Sequence, residues 1–285
     1  MDMGMYIYLL ALIVIFPAIA GSIAVLMIYK IAAHSDVGIV KKTNQDSVLV
    51  KIAQTNHDKV CLCVVCDGMG GLADGELASA TVIREFDQWF INKLPGLLET
   101  PEFPMDELRV QWDDLVMRQN KKLAKYASGI GTRMGTTVVA FLVVDDKYYI
   151  MNIGDSRAYM VSDAIYQLTK DQTYVQYEMD LGHLTWEQAQ THPQRNVLLQ
   201  CVGASDEIHP DYFVGDANPD TTFILCSDGF RHVISPDEIY EKFRPELLEN
   251  EDIMLQNIVS LVELNKSRKE VDNISAAVIR TCREG

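Results

Sequence analysis

The chain has 285 residues, which is enough for one large domain or two small ones. Its hydrophobic share of 48% supports a sizeable core and excludes an intrinsically disordered chain. The net charge of -15 argues against a nucleic-acid-binding protein, because phosphate backbones are bound by basic surfaces.

The N-terminus carries a long apolar segment, with no charged residue from Met5 to Tyr29. As a helix, these 25 residues would extend about 38 Å, more than the roughly 30 Å hydrocarbon core of a bilayer. A cleaved signal peptide is the alternative, but no Lys or Arg precedes the apolar run. We therefore predict a transmembrane anchor over residues 1–30, a short linker over residues 31–35 and one domain over residues 36–285.

The charges and cysteines that follow the anchor indicate on which side of the membrane the domain lies. Lys30 follows the apolar run directly, and Lys41 and Lys42 come a little later, so the positive-inside bias favours the cytoplasm. The cysteines do not suggest a disulfide framework, since Cys61, Cys63 and Cys66 crowd into one apolar run. A zinc site lacks a second pair of ligands at the usual spacing. We expect a single-pass membrane protein with its domain in the cytoplasm and its thiols reduced.

Behind the anchor, short β-rich segments alternate with longer amphipathic segments. Seven segments are predicted as strands, over residues 47–52, 60–66, 137–144, 148–152, 158–161, 222–226 and 274–280. Helices are predicted over residues 74–90, 105–126 and 252–265, and from Ser235, where "SPDE" is typical of a helix N-terminus. Two strand-rich groups with helices between them predict an α+β domain, in which sheets pack together and helices cover them.

Four aspartates lie where an apolar strand begins or ends. Asp67 follows "CLCVVC", Asp155 lies in "NIGDSRAY", Asp228 follows "TFILCS" and Asp272 precedes "NISAAVI". A single Asp-Gly pair is typical of a turn, whereas four acids in this context predict that they converge at one end of the sheets. Converging carboxylates repel one another unless cations neutralise them, and such oxygen ligands suit Mg²⁺ or Mn²⁺.

The order of the motifs resembles a known enzyme family. The stretches "SDVGIVKKTNQDS", "VCDGMGGLADGELAS", "MGTTVV", "NIGDSRAY", "LTKDQTYVQ", "THPQRNVLLQCVG", "LCSDGF" and "DNISAAVI" resemble, in this order, the metal-dependent protein Ser/Thr phosphatases of type 2C, with a bacterial-like "DGMGG". The resemblance extends over nearly all of residues 36–280 and leaves the anchor outside. It implies a four-layer αββα fold, a β-sandwich of two antiparallel sheets flanked by helices. The transmembrane helix predicted from the apolar run precedes this domain.

The resemblance also implies a set of metal ligands. Asp67 matches the ligand that bridges two ions, and Gly68 offers its carbonyl oxygen to the second ion. Asp228 and Asp272 match the other carboxylate ligands of the first ion, while Asp155 matches a ligand of a weaker third ion. The implied cofactors are therefore two Mn²⁺ or Mg²⁺ ions, with a third at the weaker site.

Three positions depart from the family pattern. Lys41 stands where members usually carry a phosphate-binding Arg, so we expect weaker phosphate binding, because lysine lacks the bidentate fork. Gln45 replaces a carboxylate near the second metal, and the adjacent Asp46 is expected to act near the metals through water. Met69 stands where some members carry a His proposed as a general acid, so another group must protonate the leaving group.

Further expectations concern residues around these motifs. Residues 171–201 match the variable flap of the family and are the expected place of substrate selection. His192 in this flap is expected to be structural, and Arg157 is expected to be a salt-bridge partner. The other histidines have no carboxylate or cysteine neighbours that suggest ligation.

The resemblance implies dephosphorylation of phosphoserine and phosphothreonine proteins by direct attack of a metal-bridging hydroxide, with Lys41 and Asp67 as catalytic residues. The expected partners are phosphorylated proteins, a cognate Ser/Thr kinase and the membrane, and not nucleic acid. The alternative is a catalytically silent phosphatase-like domain that serves as a membrane-tethered interaction module. The changes at Lys41 and Gln45 motivate this alternative, whereas the intact Asp67, Asp228 and Asp272 favour the enzyme.

Overall fold

A computed structural model describes residues 27–54, 59–70 and 74–283 of the chain. The strands within these residues are β1 Met27–Asp36, β2 Asp46–Gln54, β3 Lys59–Gly70, β4 Met134–Thr136, β5 Val138–Val144, β6 Lys147–Ile153, β7 Arg157–Val161, β8 Ile165–Gln167, β9 Asp211–Asp216, β10 Thr221–Cys226 and β11 Ile274–Arg283. The helices are α1 Asp74–Asn92, α2 Leu94–Leu97, α3 Met105–Ile130, α4 Tyr174–Asp180, α5 Trp186–Gln190, α6 Asp228–Arg231, α7 Pro236–Phe243 and α8 Glu251–Ser267, with a 3₁₀ turn at Pro245–Leu247.

The strands form two sheets that pack face to face. One sheet has the strand order β1-β11-β10-β7-β8, and the other has the order β2-β3-β5-β6-β9, with β4 paired to the end of β3. The pairings within the two sheets are antiparallel. Helices α1 and α3 cover the second sheet, while α7 and α8 cover the first. The predicted pair of antiparallel sheets flanked by helices is confirmed.

Both faces of the central strand β3 are buried. Cys61, Cys63 and Val65 point into the core between the sheets, where Phe141 of one sheet meets Phe223 of the other at a ring distance of 4.8 Å. The intervening side chains pack instead beneath α1 and α3. A strand covered on both sides has no need of polar alternation, which explains the continuous apolar run in its sequence.

All seven predicted strands and all four predicted helices are present. The elements that the sequence analysis missed are either short or at sheet edges, and they include β4, β8, β9 and the short helices α4 to α6. Short elements carry too few residues to show a clear periodicity, which is why the pattern did not reveal them.

The structure differs from the prediction of a linker over residues 31–35. These residues are the middle of β1, which pairs with β11 from Met27 opposite Arg283 to Asp36 opposite Ile274. Tyr29 and Ala32 are buried, and the strand supplies the outer partner that β11 would otherwise lack. The end of the predicted anchor, residues 27–30, belongs to the same strand.

The first 26 residues, which make up most of the predicted anchor, lie outside the described residues. Among the helices that the structure does describe, none is both long enough and apolar enough to cross a bilayer. The anchor therefore stays a prediction from sequence.

The role of β1 predicts how two shortened chains behave. A chain starting at residue 27 should unfold at a higher temperature than one starting at residue 37, because the second exposes the edge of β11 and loses the buried Tyr29. Burial of that side chain alone contributes roughly 1.5–3 kcal/mol, which corresponds to a melting temperature about 5–10 °C higher. Thermal unfolding followed by circular dichroism measures the difference, and equal melting temperatures would restore the linker interpretation.

Candidate metal centre

The predicted acidic residues meet at one end of the sandwich. Asp67 lies near the end of β3, directly opposite Asp46 of β2 in the strand register. Asp228 begins α6 immediately after β10, Asp272 precedes β11 by two residues, and Asp155 lies in the turn between β6 and β7. All except Asp46 line one open cleft of about 750 Å³. Strands from both sheets therefore bring together acids that are far apart in the sequence.

Close backbone contacts fix the two Asp-Gly pairs, which are not turns, since Asp67-Gly68 lies within β3 and Asp228-Gly229 begins α6. A Cβ atom on Gly68 would lie 2.1 Å from the carbonyl oxygen of Gly75 in α1. A Cβ atom on Gly229 would lie 2.2 Å from the carbonyl oxygen of Asn273, in the segment that leads into β11. Only glycine fits at either place, so the main chain beside each aspartate is held directly against a neighbouring segment.

Gln45 and Asn273 hold the loops of the cleft in place. Asn273 Oδ1 accepts a hydrogen bond from the backbone N–H of Gln45 at 2.9 Å. Asn273 Nδ2 donates to the backbone carbonyl oxygens of Val37 at 2.9 Å and Thr43 at 3.2 Å. The Gln45 carbonyl in turn accepts from the Gly68 amide at 3.1 Å. Gln45 is thus buried and acts on the site through its backbone as well as through its position in the cleft wall.

Burial and crowding raise the pKa values of three of the carboxyl groups. Burial raises the pKa of Asp67 well above its usual range, and the nearby Asp46 and Asp228 raise it further. Burial raises the pKa of Asp46 to about 7, although serine hydroxyls oppose the shift. Burial also raises the pKa of Asp155 to about 7, with Asp228 acting in the same direction. The cluster therefore holds more negative charge than its surroundings stabilise.

Asp228 is different because it has cationic neighbours. Burial acts to raise its pKa, but the His232 imidazole and the Arg231 guanidinium hold that pKa well below its usual range. Asp228 Oδ2 lies 3.2 Å from His232 Nε2. The expectation that this histidine has no carboxylate neighbour is wrong. The signal was present, because residues four apart face each other at helical spacing.

Two buried carboxylate oxygens at this end of the sandwich support a cation site. Asp46 Oδ1 and Asp228 Oδ1 have no hydrogen-bond partner in the described structure. An unsatisfied buried acceptor is costly, and a hard divalent cation bound by oxygens would remove that cost. The donor set therefore fits Mg²⁺ or Mn²⁺. Within the described residues no three His, Cys, Asp or Glu side chains close around a defined ion position, so the ligand assignment stays a prediction.

Lys41 contributes a positive charge to the cleft. Its Nζ lies 2.9 Å from Asp272 Oδ1, and its side chain is 38% exposed. Asp272 and Lys41 both line the cleft, so the predicted phosphate-binding residue stands next to a predicted metal ligand. Such a position leaves the ammonium group accessible to an incoming anion.

Asp155 is held by a buried arginine. Arg231 Nη2 donates to the backbone carbonyl oxygen of Asp155 at 2.9 Å and lies 3.7 Å from Asp155 Oδ2. The same guanidinium lies 3.3 Å from Asp171 Oδ2, and Asp171 is bound by both Arg157 Nε and Nη2 at 2.7 Å. Arg157 is thus a salt-bridge partner, as expected. An ion at Asp155 would have to share the carboxylate with Arg231.

The predicted flap forms one wall of the cleft. Its last residues, from Leu198 to Cys201, line the cleft, whereas α4 and α5 lie earlier in the flap. His192 does not line the cleft in the described structure. Its ring lies 5.7 Å from that of Tyr174, and its Nδ1 accepts a hydrogen bond from the Gln194 amide at 3.1 Å. These contacts agree with a structural role for His192.

Two antiparallel sheets flanked by helices, with an acidic cleft at one end, define the class of protein. The chain belongs to the Protein phosphatase 2C family, whose sequence profile matches residues 34–265. It is similar to the serine/threonine phosphatase stp of Listeria innocua, with 32% identity over 255 residues that make up 84% of this chain and 97% of the relative. It is also 31% identical over 258 residues to the serine/threonine protein phosphatase PstP of Mycobacterium tuberculosis. That match includes 89% of this chain but 45% of PstP, so the chain spans less than half of that relative.

Solved structures show the same fold. The serine/threonine phosphatase of S. agalactiae superposes with a TM-score of 0.75 at 26% identity, over 89% of this chain and 99% of that one. The catalytic domain of PstP in complex with two manganese ions superposes with a TM-score of 0.71 at 28% identity, over 90% and 99% of the two chains. The likeness therefore extends over the whole domain rather than over the motifs alone.

The raised pKa values predict that the metal-free protein loses stability as the pH rises from about 5 to 8. Asp46 and Asp155 have folded-state pKa values of about 7, above the ordinary value of 3.8 that applies to the unfolded chain. The folded state therefore binds more protons than the unfolded state in this pH range. One pKa unit corresponds to about 1.4 kcal/mol, and we expect the melting temperature in EDTA to fall by at least about 5 °C.

His232 also makes the stability of the folded protein fall as the pH rises, above about pH 6.5. Burial acts to lower its pKa, but Asp228 and Glu270 raise it to about 10, so its stabilising charge is lost at high pH.

The matched control is Asp46→Asn, which should make the melting temperature less dependent on pH. A melting temperature that rises with pH in the metal-free protein would contradict the raised pKa values.

Proposed function

We propose that this protein removes phosphate from phosphoserine and phosphothreonine side chains of proteins, using two divalent ions held by Asp67, Asp228 and Asp272. The observation that carries the proposal is the group of buried carboxylates at one end of the sandwich, where two oxygens have no donor among the described residues. The relatives named above are serine/threonine phosphatases, and one was solved with two manganese ions. Mn²⁺ or Mg²⁺ is the cofactor that this donor set supports.

The chain's own residues prepare the cleft for this chemistry. Bound divalent ions would supply Lewis acidity and would lower the pKa of water at the site, which makes a nucleophile available at neutral pH. Asp67 lies near the end of β3, opposite Asp46 of the neighbouring strand β2 in the same sheet, and lines the cleft. Lys41 places an ammonium group where it can bind and orient phosphoryl oxygens. Both residues act without forming a covalent bond to the substrate.

A protein nucleophile is not required by this arrangement. Cys66, the residue before Asp67, is fully buried, and burial raises the pKa of its thiol well above the usual value. A buried neutral thiol is a poor nucleophile. Met69 lines the cleft and has no proton to give, so protonation of the leaving group falls to another group.

The charges around the cleft also bear on the weaker third ion. The weaker third ion was assigned to Asp155, whose carboxylate lies 3.7 Å from the Arg231 guanidinium. Arginine stays charged at every physiological pH, so it competes directly with a cation there. Two residues assigned to the main ions also have cationic neighbours, since Lys41 lies 2.9 Å from Asp272 and His232 lies 3.2 Å from Asp228.

The apolar N-terminal sequence supports a proposal on location. With β1 starting at Met27, Met5 to Leu26 still provides 22 apolar or uncharged residues, about 33 Å as a helix. We propose that this segment tethers the domain to the membrane on the cytoplasmic side, where the cognate kinase and phosphorylated proteins would be its partners.

The first test is an assay of phosphate release from a phosphothreonine peptide. The full chain should release phosphate with Mn²⁺ or Mg²⁺ and not with EDTA. Asp228→Asn should lower kcat/KM by at least about 100-fold, since even partners outside the ligand sphere contribute 10- to 100-fold to metal sites. Asp216→Asn is the matched control and should keep full activity, since it changes an exposed carboxylate of β9 that pairs with Lys147 of β6. Folded wild-type protein that releases no phosphate from several peptides would favour the silent interaction module.

Lys41→Arg is a further arm of the same assay. The planar guanidinium can bind two phosphoryl oxygens at once, so KM should fall by up to about tenfold, equivalent to about 1.4 kcal/mol, with kcat little changed. An unchanged or higher KM would contradict the expectation that lysine binds the phosphate more weakly than arginine does.

Location is tested by fractionation of cells that express the full chain or a chain without residues 1–26. The full chain should remain in the membrane pellet after alkaline extraction, and the shortened chain should be released. Protease added to intact spheroplasts should leave the domain uncut if it faces the cytoplasm. Release of the full chain by alkali would overturn the proposed anchor.

A further inference from the structure

The two oxygens of the Asp228 carboxylate have different surroundings. Oδ2 lies 3.2 Å from His232 Nε2, whereas Oδ1 is buried without a partner among the described residues. Asp228 opens α6 and His232 follows its last residue, which brings the two side chains together four positions apart. The imidazole thus holds one oxygen, and the other is left for a ligand.

The imidazole is itself held from the opposite side. His232 Nδ1 lies 3.5 Å from Glu270 Oε2, and Glu270 is only 3% exposed. The other oxygen of Glu270 accepts hydrogen bonds from the backbone amides of Val271 at 2.8 Å and Asp272 at 3.0 Å. A polar chain therefore runs from the Asp228 carboxylate through His232 and Glu270 to the backbone of Asp272.

This series of polar contacts connects Asp228 and Asp272, which are predicted ligands of the same ion but lie 44 positions apart in the sequence. If the pairing served only to hold α6 against the segment before β11, both oxygens of Asp228 would be expected to have hydrogen-bond partners. The free Oδ1 is what distinguishes the arrangement, because the histidine fixes the direction in which that oxygen points. Neither His232 nor Glu270 lines the cleft in the described structure, so neither is placed to touch a substrate.

We propose that His232 is a positioning residue, which is anchored by Glu270 and orients the Asp228 carboxylate for metal binding. The proposal rests on the metal site of the proposed function and deepens it. Hydrogen bonds outside the ligand sphere orient the ligands, and their loss typically lowers metal affinity by 10- to 100-fold. The same effect is expected when either His232 or Glu270 is changed, because one acts through the other.

Isothermal titration of Mn²⁺ into the full chain, in detergent solution, tests the proposal directly. His232→Gln keeps a polar side chain but cannot bridge two carboxylates, and Glu270→Gln removes the anchoring charge. Each variant should raise the Kd for Mn²⁺ by about 10- to 100-fold, and the double variant should be no weaker than the worse single variant. His183→Gln is the matched control, since His183 also pairs with a glutamate, at 2.9 Å from Glu178, but lies in the flap.

The rise in melting temperature on addition of Mn²⁺ separates positioning from folding. A variant that is merely less stable would melt lower without metal and still gain the full increase with it, whereas loss of positioning reduces the increase. If either variant fails to fold, the other provides the test. Folded variants that bind Mn²⁺ with wild-type affinity would overturn the role of His232. Absence of binding by the wild-type chain would instead overturn the metal site and, with it, the proposed function.

Discussion

Mutual repulsion between buried carboxylates is the constraint on which the functional end of this protein depends. Asp46 and Asp67 face each other across neighbouring strands, and Asp228 adds a third acid from the opposite sheet. Burial removes the water that would screen these groups, so the folded state either takes up protons or binds cations. The fold tolerates this arrangement because a large apolar core lies between and outside the sheets.

The charges that oppose this repulsion are distributed unevenly. Lys41 reaches Asp272, His232 reaches Asp228 and Arg231 reaches Asp155, so each acid on that side of the cleft has a cationic neighbour. No ion pair among the described residues reaches Asp46 or Asp67, although Ser227 donates to Asp46 at 2.8 Å. The negative charge that the protein leaves uncompensated is thus concentrated at the paired strands β2 and β3, which is where divalent cations would stabilise the fold most.

Close backbone contacts hold the acidic residues in fixed positions and so define the site. The glycines after Asp67 and Asp228 allow the main chain of α1 and the segment that leads into β11 to lie directly against the backbone beside the two aspartates. Asn273 then joins the loop that carries Lys41 to the segment that carries Asp272 through three hydrogen bonds. Since each loop is fixed by a neighbour rather than by its own sequence, a change in one of them moves the acids of the others.

Much of the fold and the convergence of the acidic residues could be predicted from the sequence because the signals for both are local. A buried strand followed by Asp and Gly marks Asp67 and Asp228 within a few residues, and the periodicity of α1 and the continuous apolar run of β3 are visible in their own sequences. The residues that complete the site had no such signal. Asp171 lies 60 positions from Arg231, and Glu270 lies 38 positions from His232. The strand β1 has its partner near the other end of the chain, so its short mixed sequence looked like a linker. The sequence by itself determined which acids converge and on which elements they lie. Only the tertiary structure decided that Lys41 faces Asp272 and that Arg231 faces Asp155, because pairing between distant residues depends on how the two sheets pack and leaves no trace in local pattern.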